Sequence, residues 1–113
     1  MKFSWQKLET PFYCLAPMEG ATDTAFRQVV ISCGKPDVCF TEFVNVEGLM
    51  SEGRQRVEKA LVYEESEQPL IAQIWGINPD NFFKASEIIV NLGFAGVDIN
   101  MACPVNAVIR KGT

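Results

Sequence analysis

Pro69 to Asn100, P-L-I-A-Q-I-W-G-I-N-P-D-N-F-F-K-A-S-E-I-I-V-N-L-G-F-A-G-V-D-I-N, decides the fold. Residues Pro69 to Trp75 are a short apolar run ended by Gly76, the pattern of a strand buried on both faces. Asn78 is a helix-capping residue type, and Pro79 stands at the first helical position, where a missing N–H costs nothing. Phe82, Ala85, Ile89 and Leu92 then fall on one helical stripe, and Gly93 ends it. Gly96 to Asn100 is a second apolar strand. A strand, a capped helix and another strand in immediate succession make a βαβ unit, which requires parallel strands.

The same alternation extends upstream. Phe12 to Met18 reads as a strand ended by Pro17 and Gly20. Thr22 or Asp23 can cap a helix whose buried stripe is Phe26, Val29, Val30 and Cys33, with Gly34 and Pro36 closing it. Val38 to Glu42 is the next strand. A short helix is expected from about Val46 to Ser51, and Leu61 to Tyr63 reads as a minor strand between charged turns. The order β-α-β-α-β-α-β gives about four parallel strands with alternating helices, an α/β class with two candidate architectures: a doubly wound sheet or a (β/α)8 barrel. Nothing like G-x-G-x-x-G follows the first strand, which disfavours a dinucleotide-binding sheet. Residues 1–113 read as one unit, without internal repeat or low-complexity linker.

Composition narrows the function classes. The chain has 113 residues, 48% of them hydrophobic, enough for one small core. Ten Lys and Arg against 14 Asp and Glu leave a net charge of −4, the wrong sign for gripping phosphates by charge alone. No apolar run approaches the ~20 residues that span a bilayer, and Met1 to Thr10 has no signal-peptide core, so a cytoplasmic protein is expected. Cys14, Cys33, Cys39 and Cys103 show no C-x-x-C spacing and the chain has no histidine, so no metal site is expected. Three of these cysteines lie among apolar residues and are expected to be small buried hydrophobes. Glu64, Glu65 and Glu67 read as a solvated loop.

Both architectures place ligands at the carboxyl ends of the strands. Those ends are Ala16-Pro17-Met18, Thr41-Glu42, Gln73-Ile74-Trp75 and Asp98-Ile99-Asn100, the last followed by Cys103 and Pro104. Asp98 and Asn100 share strand parity, so they point to one face. Polar residues gathered at strand ends predict a ligand site there.

These elements together carry a resemblance. A-P-M at 16–18 ahead of a capped helix with Phe26-Arg27, T-E at 41–42, A-Q-I-W-G at 72–76, D-I-N-M-A-C-P-V at 98–105 and R-K-G at 110–112 resemble the tRNA-dihydrouridine synthases, from about Pro11 to Gly112. The resemblance implies the N-terminal portion of an FMN-binding (β/α)8 barrel, followed in the family by a helical domain that helps hold tRNA. It implies reduction of the C5–C6 double bond of uridine in tRNA, with NADPH reducing the flavin. It assigns Cys103 as the proton donor to C5 of the uracil, a role suited to a thiol whose ordinary pKa, about 8.5, keeps it protonated near neutral pH. It places Ala16, Pro17 and Met18 against the flavin ring, Gln73 at the ring's polar edge and Asn100 near flavin and substrate. Asp98 reads as a supporting residue. Arg110 and Lys111 suit either tRNA phosphate or solvent.

Two departures stand out. Ala102 occupies a position where the family usually has glycine; if positive φ is needed there, alanine costs about 1 kcal/mol. The chain is also far shorter than the roughly 250 residues of a (β/α)8 barrel, so it reads as a truncated first half. It lacks counterparts of the later FMN-phosphate residues, and its open sheet edges allow self-association. The alternatives are another FMN barrel reducing a free pyrimidine, and an inactive half-barrel that only self-associates.

Overall fold

The computed structural model describes residues 2–102. Five parallel strands form one sheet: β1 (Cys14–Leu15), β2 (Val38–Phe40), β3 (Val44–Asn45), β4 (Leu70–Trp75) and β5 (Gly96–Ile99). The helices are α1 (Thr24–Cys33), α2 (Val46–Leu49), α3 (Arg54–Glu58) and α4 (Pro79–Asn91). Ile71 pairs with Phe40 of β2 on one side and Gly96 of β5 on the other, while Ile74 pairs with Val44 of β3 and Ile99 of β5. β3 therefore continues the edge that β2 begins. The four-strand succession β1, β2, β4, β5 follows chain order without reversal. A doubly wound sheet reverses at its switch point; among the described strands there is no such reversal.

β4 is buried along its whole length because it is paired on both edges and covered on both faces. Its even-numbered residues Leu70, Ala72 and Ile74 join the core with Val46 and Leu49 of α2 and Ala85 and Ile89 of α4. Each such aliphatic side chain contributes about 1.5–3 kcal/mol, less for alanine. Ile71, Gln73 and Trp75 point to the opposite face. Phe40, in register with Ile71, is stacked on that face by Trp5, whose ring centroid lies 6.3 Å away.

The caps fall where the residue types place them. Asp23 accepts from the Phe26 N–H at 2.8 Å to start α1, and Asn78 accepts from Asp80 N–H at 2.9 Å with Pro79 at the first position of α4. A residue that sequence reading passed over strengthens the second cap. Glu47 accepts from Ile77 N–H at 3.0 Å and Asn78 N–H at 2.8 Å. Gly76 makes this possible, since a Cβ there would collide with Val46 and Glu47. Burial by itself disfavours the Glu47 charge, but the N–H groups of Asn78, Ile77 and Glu47 and the Asn81 side chain outweigh it and hold the carboxyl below its usual value. A depressed folded-state pKa stabilises the fold above the unfolded pKa and is lost as pH falls through the folded one. Glu47→Gln is therefore expected to cost about 1 kcal/mol near neutral pH, after allowance for solvent screening. It is also expected to flatten the loss of stability below about pH 4, read by urea denaturation across that range.

Several expectations are corrected. α1 does not bury the Phe26, Val29, Val30, Cys33 stripe: Val29 is 63% exposed, Phe26 and Cys33 are exposed, and the buried residue is Arg27. The reason is a polar socket. Arg27 Nε donates to Glu67, Nη1 to the Thr22 carbonyl at 2.7 Å and Nη2 to the Val62 carbonyl at 2.9 Å. Glu67 also accepts from Thr24 Oγ1 at 2.5 Å and Glu64 N–H at 2.6 Å. Both side chains are fully buried, so Glu67 is not part of a solvated loop. Leu61 to Tyr63 is not a strand; Lys59–Leu61 is a 3-10 turn, and the Val62 carbonyl is spent on Arg27. Cys14 and Cys33 are exposed, and only Cys39 of the described cysteines is buried. Burial pushes the Cys39 thiol up, as do burial and then Asp37 for Cys14, which disfavours the reactive thiolate at both. Leu92, expected on the α4 stripe, is 47% exposed. Among the described residues no helix is long and apolar enough to cross a membrane.

Candidate functional site at the strand carboxyl ends

A cleft of about 420 Å³ opens at the carboxyl end of the sheet. Pro17 after β1, Gln73 on β4 and Asn100 after β5 line it, together with Glu19, Phe43, Ile99, Met101 and Ala102. Three of the residues expected to hold a cofactor are thus brought together by the parallel topology. Ala16 and Met18 flank Pro17 but are not among the lining residues, and both are exposed. Cys103 lies outside the described residues, as do Arg110 and Lys111.

Register explains the polar centre. Gln73 is the Cα partner of Asp98, and Asn100 follows two residues later on the same face. Gln73 Nε2 donates to Asp98 Oδ2 at 2.7 Å, and Asn100 Nδ2 donates to Gln73 Oε1 at 3.3 Å. Asn100 Oδ1 accepts from Ala102 N–H at 3.0 Å. The Gln73 backbone N–H is held by Thr41 Oγ1 at 3.1 Å, and that hydroxyl donates to the Glu42 carbonyl at 2.7 Å. Thr41 thereby locks the end of β2 to the middle of β4.

The A-P-M turn is fixed from two sides. Met18 N–H donates to Thr22 Oγ1 at 2.9 Å, and Gly20 N–H donates to the Glu42 carboxylate at 2.6 Å. Gly20 has φ of 74°, a left-handed conformation that favours glycine. Glu42 reaches across from the second strand end, which accounts for the T-E pair physically. Glu19, at the cleft wall, has its carboxyl raised by burial and then by the neighbouring Glu42 charge. Phe43 stacks on Trp75 with centroids 5.3 Å apart and gives the cleft a flat apolar side. Glu19 and Phe43 adjoin recognised motifs, and their adjacency to strand ends was the available signal.

Ala102 carries no backbone strain: no described non-glycine residue has positive φ. The expected penalty for alanine in place of glycine is absent in this conformation. The described lining of the cleft offers the amides of Gln73 and Asn100, the Glu19 carboxyl and the apolar surfaces of Pro17 and Phe43.

Comparison with known proteins accords with this arrangement. The family described as "Dihydrouridine synthase (Dus)" matches residues 14–113. A Bacillus subtilis (strain 168) protein named "Probable tRNA-dihydrouridine synthase 2" is 50% identical over 109 residues, 96% of this chain and 34% of its own length. A Staphylococcus aureus (strain COL) protein named "Probable tRNA-dihydrouridine synthase" is 47% identical over 109 residues, 96% of this chain and 33% of its own. This chain spans about a third of the length of these relatives. Its parallel α/β sheet is the N-terminal portion of the family's (β/α)8 barrel, and the chain belongs to the dihydrouridine synthase family.

Proposed function

We propose that this chain forms the first part of the active site of an enzyme that reduces the C5–C6 double bond of uridine in tRNA, using FMN and NADPH, in the cytoplasm. The observation that carries the reading is the Gln73 amide in the cleft. An amide has two N–H hydrogens and two oxygen lone pairs. Asp98 takes one hydrogen and Asn100 one lone pair, which leaves one donor and one acceptor for an occupant. That complement suits the alternating carbonyl and N–H edge of an isoalloxazine, so the donor set fits FMN.

The remaining cleft residues suit a flat heteroaromatic ligand as well. Pro17 supplies a rigid surface without a backbone donor, and the Phe43 ring forms an apolar wall. When bound, FMN supplies two-electron redox chemistry, loaded by NADPH and directed at the uracil double bond. Asn100 holds the turn that leads into Cys103 through Ala102 N–H. Cys103 Sγ gives its proton to C5 of the uracil, completing the saturated ring.

The names of the relatives support tRNA as the substrate, whereas the net charge of −4 makes this chain a poor electrostatic anchor for RNA. The longest natural polypeptide carrying this sequence, supplied with FMN, NADPH and unmodified tRNA, is expected to form dihydrouridine, detected by mass spectrometry of the nucleosides. Turnover of free uracil with none on tRNA would replace this reading by that of a free-pyrimidine reductase.

A further inference from the structure

We propose that Asp98 is a positioning residue that fixes which way the Gln73 amide faces, and so sets the donor and acceptor pattern presented to a ligand in the cleft. The inference rests on the flavin reading of the cleft and deepens it.

The amide of a glutamine can turn over by half a rotation, exchanging its donor and acceptor at little cost in shape. At this site the exchange is blocked from both ends. A carboxylate only accepts, so Asp98 requires Nε2 of Gln73 on its side, and the contact is 2.7 Å. A backbone N–H only donates, so Ala102 requires Oδ1 of Asn100 on its side, at 3.0 Å. Asn100 is then left with Nδ2 toward Gln73, where Oε1 accepts at 3.3 Å. Every link has one polarity: Ala102 N–H to Asn100, Asn100 to Gln73, Gln73 to Asp98. Gln73 is only 9% exposed, so water has little room to compensate a reversed amide.

Asn at position 98 removes the constraint, because its own amide serves either orientation of Gln73. Glu at that position keeps an acceptor-only group. FMN binding is measured by fluorescence quenching in the longest natural polypeptide carrying this sequence, together with side-chain amide resonances of the 15N-labelled, flavin-free protein. Asp98→Asn is expected to weaken FMN binding about tenfold and to shift the Gln73 amide protons toward ordinary values. Asp98→Glu is expected to restore binding to within about threefold. In a Gln73→Ala background, Asp98→Asn is expected to add no further loss, because the group it orients is gone.

An undiminished effect of Asp98→Asn in that background overturns the positioning role, as do unchanged Gln73 resonances. Normal FMN binding by Gln73→Ala overturns the placing of Gln73 at the flavin's polar edge, and failure of the unsubstituted protein to bind FMN overturns the flavin reading; in both cases the amide resonances of Asp98→Asn still judge the orientation.

Discussion

Cys103→Ala is expected to lower the rate of dihydrouridine formation on tRNA by roughly 10²–10⁴-fold, the usual contribution of a positioned proton donor. Flavin affinity is expected to stay within about threefold, since alanine removes the donor without adding bulk or charge. The expectation follows from the proposed role of the thiol. Hydride addition at one carbon of the uracil double bond leaves negative charge to be quenched at C5. A group with an ordinary pKa of about 8.5 is protonated near neutral pH and acidic enough to give that proton up. Serine, far less acidic, is not expected to rescue the rate. Single-turnover measurements with pre-reduced flavin isolate this step from cofactor reduction. A Cys103→Ala rate equal to wild type would remove the thiol from the mechanism.

Glu67→Ala is expected to destabilise the fold by about 3–5 kcal/mol, because it leaves the Arg27 guanidinium buried without its counter-charge. Domain stabilities are commonly only about 5–15 kcal/mol, so the variant is expected to populate unfolded chain under mild urea. Glu67 also receives Thr24 Oγ1 and Glu64 N–H, and these donors lose their acceptor in the same substitution. Adding Arg27→Met to Glu67→Ala is expected to recover part of the loss, since removing both charges avoids the stranded one. Equilibrium urea denaturation reads both effects. A Glu67→Ala loss below about 1 kcal/mol would show that the pair contributes no more than an exposed one.

This socket is linked by hydrogen bonds to the turn that carries Pro17. Arg27 holds the Thr22 carbonyl at 2.7 Å, and Thr22 Oγ1 takes the Met18 N–H at 2.9 Å. The A-P-M turn is thus tied through Thr22 to a buried ion pair on the helix side. Glu42 ties the same turn to the end of the second strand. The exposed apolar face of α1 follows from the same preference: the helix turns to bury Arg27 and leaves Phe26 and Val29 outward.

Sequence alone determined the parallel α/β alternation, the cap at Asn78, a cap for α1 at Thr22 or Asp23 that the structure assigns to Asp23, and the gathering of Pro17, Gln73 and Asn100 at one end of the sheet. Each is written in local chemistry: apolar runs of strand length, a capping side chain within three residues of the N–H it accepts, and the two-residue period that sets Asp98 and Asn100 on one face. The tertiary structure alone decided which face of α1 is buried, that Glu67 is a buried partner rather than a loop charge, that β3 extends the edge of β2, and that Asp98 grips Gln73. Arg27 and Glu67 are 40 residues apart, and Gln73 and Asp98 are 25 apart. No local pattern encodes such pairs, because they exist only once strand register and helix rotation bring distant polar groups within hydrogen-bonding distance.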